Sequence, residues 1–158
     1  MRKIDQLLVE YGTSHQNETN KTIHWICVPL IFLSIMGLVA SIPAPVLHAL
    51  IGNNLFATWA TVALLLVSIY YSSLSFSLTI GMILFGLICL FIINFLGKLG
   101  IAPLWLICII IFVVAWIGQF YGHTIEGKKP SFLKELQFLL IGPAWLMHFI
   151  YKKIGIRY

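Results

Sequence analysis

The run Thr22–Gly97, TIHWICVPLIFLSIMGLVASIPAPVLHALIGNNLFATWATVALLLVSIYYSSLSFSLTIGMILFGLICLFIINFLG, contains no Lys, Arg, Asp or Glu in 76 residues. A second charge-free run of 27 residues, Leu99–Ile125, follows after Lys98. A hydrocarbon core about 30 Å thick takes roughly 20 helical residues to cross. The first run therefore has room for three crossings and the second for one. Across all 158 residues, 60% are hydrophobic and 9% charged, where soluble domains carry about a quarter charged residues. Water is excluded as the main solvent of this chain.

Turn residues divide the runs into spans. Pro43-Ala44-Pro45 ends a first span over 24–42, and Gly52-Asn53-Asn54 makes a second more plausible over 55–71 than from Val46. Ser72-Ser73-Leu74-Ser75 connects to a third over 76–96. Gly97-Lys98-Leu99-Gly100 reads as a tight turn into a fourth over 101–121. Before the spans, Ile4, Leu7, Leu8 and Tyr11 fall at helical spacing among charged residues, which predicts an amphipathic helix over 2–12 lying on the membrane. After them come two apolar pieces, Phe132–Ile141 and Pro143–Ile154, broken at Gly142-Pro143. The uncharged part, Leu136–Tyr151, has 16 residues and is short for a crossing, so it is expected to be interfacial or re-entrant. The expected fold is an all-α integral membrane protein with about four transmembrane helices, forming one domain over 1–158.

In a four-span arrangement nine of the ten Lys and Arg residues share one face, and Lys98 alone is opposite. The positive-inside rule then places both termini at the cytoplasmic face, in a bacterial inner membrane or the endoplasmic reticulum. No signal peptide is expected, because Asp5, Glu10 and Glu18 precede the first apolar segment. The net charge of +5 clusters beside apolar segments, which fits anionic lipid headgroups as partners and not nucleic acid. Cys27, Cys89 and Cys108 lie in apolar runs without the spacing of a metal knuckle or redox pair, and read as packing residues.

The same topology sorts the five histidines. His15 and His24 lie at the start of the first span, while His123 and His148 follow the fourth, so four meet at the cytoplasmic face; His48 falls opposite. Polar groups are costly in hydrocarbon, and four imidazoles gathered at one depth need a joint explanation, which metal ligation supplies. Nine residues turn a helix through about 900°, so His15 and His24 would lie on opposite sides of a continuous helix. A break between them is required, and Asn17, Thr19 and Asn20 are natural cap and turn residues for it. Asn17 and Asn20 are also suited to orienting the imidazoles. Glu126, three after His123, is a candidate ligand, general base or hydrogen-bond acceptor, and Gln119 one turn earlier faces the same place. Glu126 and His148 compete for the last ligand position, or both serve if two ions bind. Histidine and oxygen ligands suit iron, zinc or manganese.

Two motifs, His15-x-Asn17-x-x-Asn20-x-x-x-His24 followed by Val28-Pro29, and Trp116-Ile-x-Gln119-Phe-x-Gly122-His123 followed by Lys128-Lys129-Pro130, resemble the membrane 2-hydroxy-fatty-acid dioxygenase family. The resemblance covers both ends of the chain, and the middle in hydropathy only. It implies Fe2+-dependent α-oxidation, in which a 2-hydroxy fatty acid and dioxygen yield a fatty acid one carbon shorter. An α-hydroxy carboxylate can chelate iron through two oxygens while its tail stays among the spans. Lys128 and Lys129 would attract the carboxylate to the cytoplasmic mouth. The rival readings are a zinc-dependent intramembrane lipid hydrolase using the same histidines, and a non-enzymatic transporter or scaffold. Few polar groups lie near the midplane of the central spans, which counts against transport.

Overall fold

The computed structural model describes residues 2–13, 15–127 and 138–156. They form seven helices, α1 (Lys3–Gly12), α2 (Glu18–Ala40), α3 (Pro45–Ile51), α4 (Trp59–Ser72), α5 (Phe76–Leu99), α6 (Leu104–Ile125) and α7 (Ile141–Ile154). No strand occurs among the described residues, as the charge-free runs predict. Three helices, α2, α5 and α6, have 23, 24 and 22 residues and are long and apolar enough to cross a membrane.

The boundaries differ from the sequence reading where local hydrogen bonding intervenes. The stretch 55–71 yields a helix of 14 residues, α4. Asn54 is responsible for its late start, because its side chain accepts from Phe56 N–H at 2.8 Å and donates to the Ile51 carbonyl at 2.6 Å. The turn expected over Gly97–Gly100 comes later: α5 continues through Leu99 and stops at Gly100, whose φ of +65° is in the left-handed region. At the C-terminal end, Gly142-Pro143 does not interrupt a helix but opens one. Pro143 lies in the first turn of α7, where its missing N–H forfeits no helical bond. The remainder of the expected tail helix, 132–137, and the pair Lys128-Lys129 with Pro130 lie outside the described residues.

α2 is the central post and packs against α4, α5, α6 and α7, while α1 packs on α7. α1 buries Ile4, Leu8 and Tyr11, the face that its periodicity predicts. α2 and α6 run antiparallel with small residues at each level of their seam. A Cβ on Gly37 would collide with Cys108 Sγ, one on Gly118 would come to 2.8 Å from Cys27 Sγ, and one on Gly122 would overlap Asn20 Oδ1. Close backbone approach at small residues is how helices associate in lipid, where burial of apolar surface gives no driving force. The cysteines act here as packing residues, and none is in a disulfide. Outward faces carry large exposed apolar side chains, among them Leu84, Ile88, Phe91 and Phe95 on α5 and Ile110, Val114 and Ile117 on α6. An apolar surface this continuous fits lipid and not water.

Hydrogen bonds set α7 across one end of the bundle. Tyr71, in the last turn of α4, donates to the Leu140 carbonyl, and Tyr151 donates to the carbonyl of Ser77, in the first turn of α5, at 2.6 Å. The start of α2 and the end of α6 meet at this same end, through Asn20 and Gly122. The far end brings together Ala40, His48, Asn53, Asn54, Gly97 and Lys98 around an open pocket.

Candidate metal centre

The break required between His15 and His24 is present. α1 ends at Gly12, and Asn17 caps α2 by accepting from Thr19 N–H at 2.9 Å and Asn20 N–H at 3.3 Å. His15 therefore sits in a short linker and folds back over the first turns of α2. His24 lies in the second turn of α2 and His123 in the last turn of α6. The three imidazoles are 1%, 0% and 2% exposed. Their ring centroids are 4.2 Å (His15 to His24), 5.1 Å (His15 to His123) and 5.0 Å (His24 to His123) apart. One ligand nitrogen from each lies within 4.8 Å of the others.

Backbone carbonyls determine which nitrogens face inward. His15 Nδ1 is 2.7 Å from the Tyr11 carbonyl and His24 Nδ1 is 2.9 Å from the Asn20 carbonyl. A carbonyl only accepts, so each Nδ1 carries the proton and donates. The lone pair is then on Nε2, which is the tautomer a metal-ligating histidine adopts when its other nitrogen is hydrogen-bonded. Both bonds span four residues: the helical geometry of α2 supplies the one from His24, and the linker after α1 turns His15 back onto the Tyr11 carbonyl for the other. Three buried imidazoles whose ligand nitrogens converge to within 4.8 Å fit a divalent transition metal, and no thiolate is in the group.

Glu126 is placed differently from the histidines. Its carboxylate accepts from Gln16 N–H at 2.8 Å, from Asn17 N–H at 2.9 Å and from Asn20 Nδ2 at 3.0 Å. It thus ties the end of α6 to the linker that carries His15 and to the first turn of α2. Burial pushes its pKa up, but the bonds from Asn17, Asn20 and Gln16, with His15 nearby, outweigh this and hold it below the ordinary carboxylate range. Asn20 is fully buried and serves twice: its side chain meets Glu126 while its carbonyl orients His24. It reaches α6 only because Gly122 has no side chain there. Gln119 is buried one turn before His123 and lines a cavity of about 20 Å³ with Tyr11, Val28, Trp116 and Gly142.

His148 is not brought into the group. It faces a separate pocket with Asp5, Leu8, Val9 and Trp145. Burial and Lys152 one turn on lower its pKa, against the pull of Asp5. His48 is exposed at the far end, as the sorting by topology predicts. Two aromatic neighbours of His15 are not marked as such by the sequence. Tyr11 stacks on His15 with centroids 4.3 Å apart and rings 19° from parallel, and the Trp145 ring lies 5.4 Å from His15. Tyr11 was legible only as part of an apolar helix face, although it precedes His15 by one helical turn. Nothing in the local sequence of Trp145 points to His15.

Neither the curated proteins nor the solved structures give a match to the chain. A protein-family model does, over residues 1–154, a stretch that takes in every helix and all three grouped histidines. The chain belongs to the family described as 2-hydroxy-palmitic acid dioxygenase Mpo1-like.

Proposed function

We propose that this protein is an iron(II)-dependent dioxygenase that carries out α-oxidation of 2-hydroxy fatty acids to fatty acids one carbon shorter. The observation that carries the reading is the buried group of His15, His24 and His123, two of them held by backbone carbonyls in the metal-binding tautomer. His15, His24 and His123 would hold the iron(II) ion, which when bound would supply the redox chemistry toward dioxygen and the affinity for the substrate's oxygens. The protein's own residues supply the rest. The Tyr11 and Asn20 carbonyls fix ring orientation, and the Asn17 cap and Glu126 clamp the linker so that His15 reaches α2 and α6. Gln119 offers an amide to the hydroxy-acid head, and Lys128 and Lys129 draw the carboxylate toward the membrane surface. The reading gives Glu126 a positioning role and assigns His148 no bond to this ion.

We infer further that the chain is one membrane domain with four crossings, α2, α4, α5 and α6. α2 leaves the metal-centre end and α5 starts from it, so α4 has to return the chain across the bundle. The distribution of Lys and Arg puts that end, with both termini, in the cytoplasm.

Elemental analysis and oxygen uptake test the proposal. Protein purified in detergent without chelator should contain iron and consume oxygen with 2-hydroxypalmitate. Stoichiometric zinc, no iron and no oxygen uptake would overturn it in favour of a zinc-dependent lipid hydrolase.

A further inference from the structure

We propose that the alkyl tail of the substrate lies inside the bundle, in an apolar groove between α2 and α4, and that Ala63 and Met36 in this groove set the chain-length preference. The inference rests on the function proposed above and adds a site for the tail.

Two cavities carry the argument. The first is the small one lined by Gln119, Tyr11, Val28 and Trp116. Its lining residues neighbour the histidines: Tyr11 stacks on His15, Val28 is one turn after His24, and Gln119 is one turn before His123. The second, of about 90 Å³, is lined by apolar side chains only, among them Phe32, Met36 and Val39 of α2 and Ala63, Leu64 and Val67 of α4. Leu139 lines both cavities and is the wall they share, so a tail leaving the polar pocket enters the groove past this one side chain. Apolar cavities of this kind stay dry and take up hydrocarbon.

Position along the helices gives the groove a direction. Phe32, Met36 and Val39 succeed one another on α2, moving away from the metal centre. On the facing side Val67, Leu64 and Ala63 descend α4 from its metal-centre end. From Val28 to Val39 the helix rises about 16 Å. An all-trans alkyl chain with bonds of about 1.5 Å and angles of about 111° advances about 1.25 Å per carbon. Counted from the level of Val28, the groove, whose α2 wall runs from Phe32 to Val39, therefore flanks roughly the fifth to the thirteenth tail carbon. A tail of about eight carbons spans about 10 Å and stops just short of Met36, about 12 Å along from Val28, whereas a tail of about fourteen passes Met36 and Ala63. Ala63 is the smallest side chain on the α4 wall, and bulk there closes the far half of the groove.

The experiment compares 2-hydroxydecanoate with 2-hydroxypalmitate as substrates of detergent-purified, iron-containing protein, reading kcat/KM for each by oxygen uptake. In Ala63→Phe, the palmitate to decanoate ratio of kcat/KM should fall at least about 10-fold from its wild-type value, with iron content retained. Met36→Ala, which removes bulk from the opposite wall, should move the ratio the other way. Ala63→Leu gives an intermediate shift and serves if the Phe variant does not fold. Wild-type oxidation of both acids, with the ratio unchanged in Met36→Ala and in the folded Ala63 variants, would overturn the groove and leave the proposed function standing. Failure of the wild type to oxidise either acid would remove the proposed function, and the groove assignment with it.

Discussion

The two ends of the helix bundle carry the same kinds of polar residue and use them differently. At one end His15, His24 and His123 are buried with Asn20 and Gln119. At the other, His48, Asn53, Asn54 and Lys98 surround an open pocket, and all four are exposed. The difference lies in convergence. The metal-centre end has a linker that folds back, a carboxylate that accepts three donor groups, and a glycine that lets α2 and α6 close. The far end has a short helix, α3, followed by an Asn-capped turn, and no Asp or Glu occurs between Thr22 and Ile125 to draw its groups together. An imidazole becomes a ligand when its neighbours fix its tautomer and exclude water.

Ligand deletion should separate the two ends most sharply. His24→Ala is expected to reduce metal content at least about 10–100-fold, since even the loss of a hydrogen-bond partner behind a ligand costs that much. His48→Ala should leave metal content unchanged. Elemental analysis of both, with helicity by circular dichroism as the folding control, checks the comparison. Equal metal loss in the two variants would break it.

Glycine substitutions probe the packing behind the contrast. Gly122→Ala forces a methyl group onto Asn20 and should destabilise the protein by about 1–3 kcal/mol, with weaker metal retention. Gly97→Ala, at the far end, meets nothing within 4 Å. It should be neutral or stabilising by up to about 1 kcal/mol, because alanine is the better helix former. Thermal unfolding in one detergent measures both.

The smallest expected effect is the pH dependence of Glu126. Its folded-state pKa is held below the unfolded value, so its contribution is fully present above the ordinary carboxylate range and is lost as pH falls through the depressed value. Metal-free wild type should be more stable than Glu126→Gln near neutrality, and the gap should close on acidification. A gap that persisted at low pH would mean that the clamp does not depend on the carboxylate's charge.

Much of this site was legible in advance, for identifiable reasons. Charge-free length marked α2, α5 and α6, because hydrocarbon excludes charge. The spacing of nine between His15 and His24 demanded a break, and the asparagines between them marked where it falls. Alternation of crossings separated His48 from the others. The length of α4 was not legible, because Asn54 side-chain bonds delay the helix in a stretch whose hydropathy does not change. Nor was the exclusion of His148, since a histidine on an apolar helix looks the same whether it faces the group or the neighbouring pocket with Asp5.

The sequence by itself determined that this is a helical membrane protein with histidines gathered at one end, because solvent exclusion and helical periodicity act on residues close together in the chain. Only the tertiary structure decided which histidines come together, which nitrogen His15 and His24 present and what Glu126 holds. Those outcomes depend on the approach of α6 to α2 and on carbonyl directions, and contacts such as Glu126 to Gln16, 110 residues apart, leave no local periodicity to read.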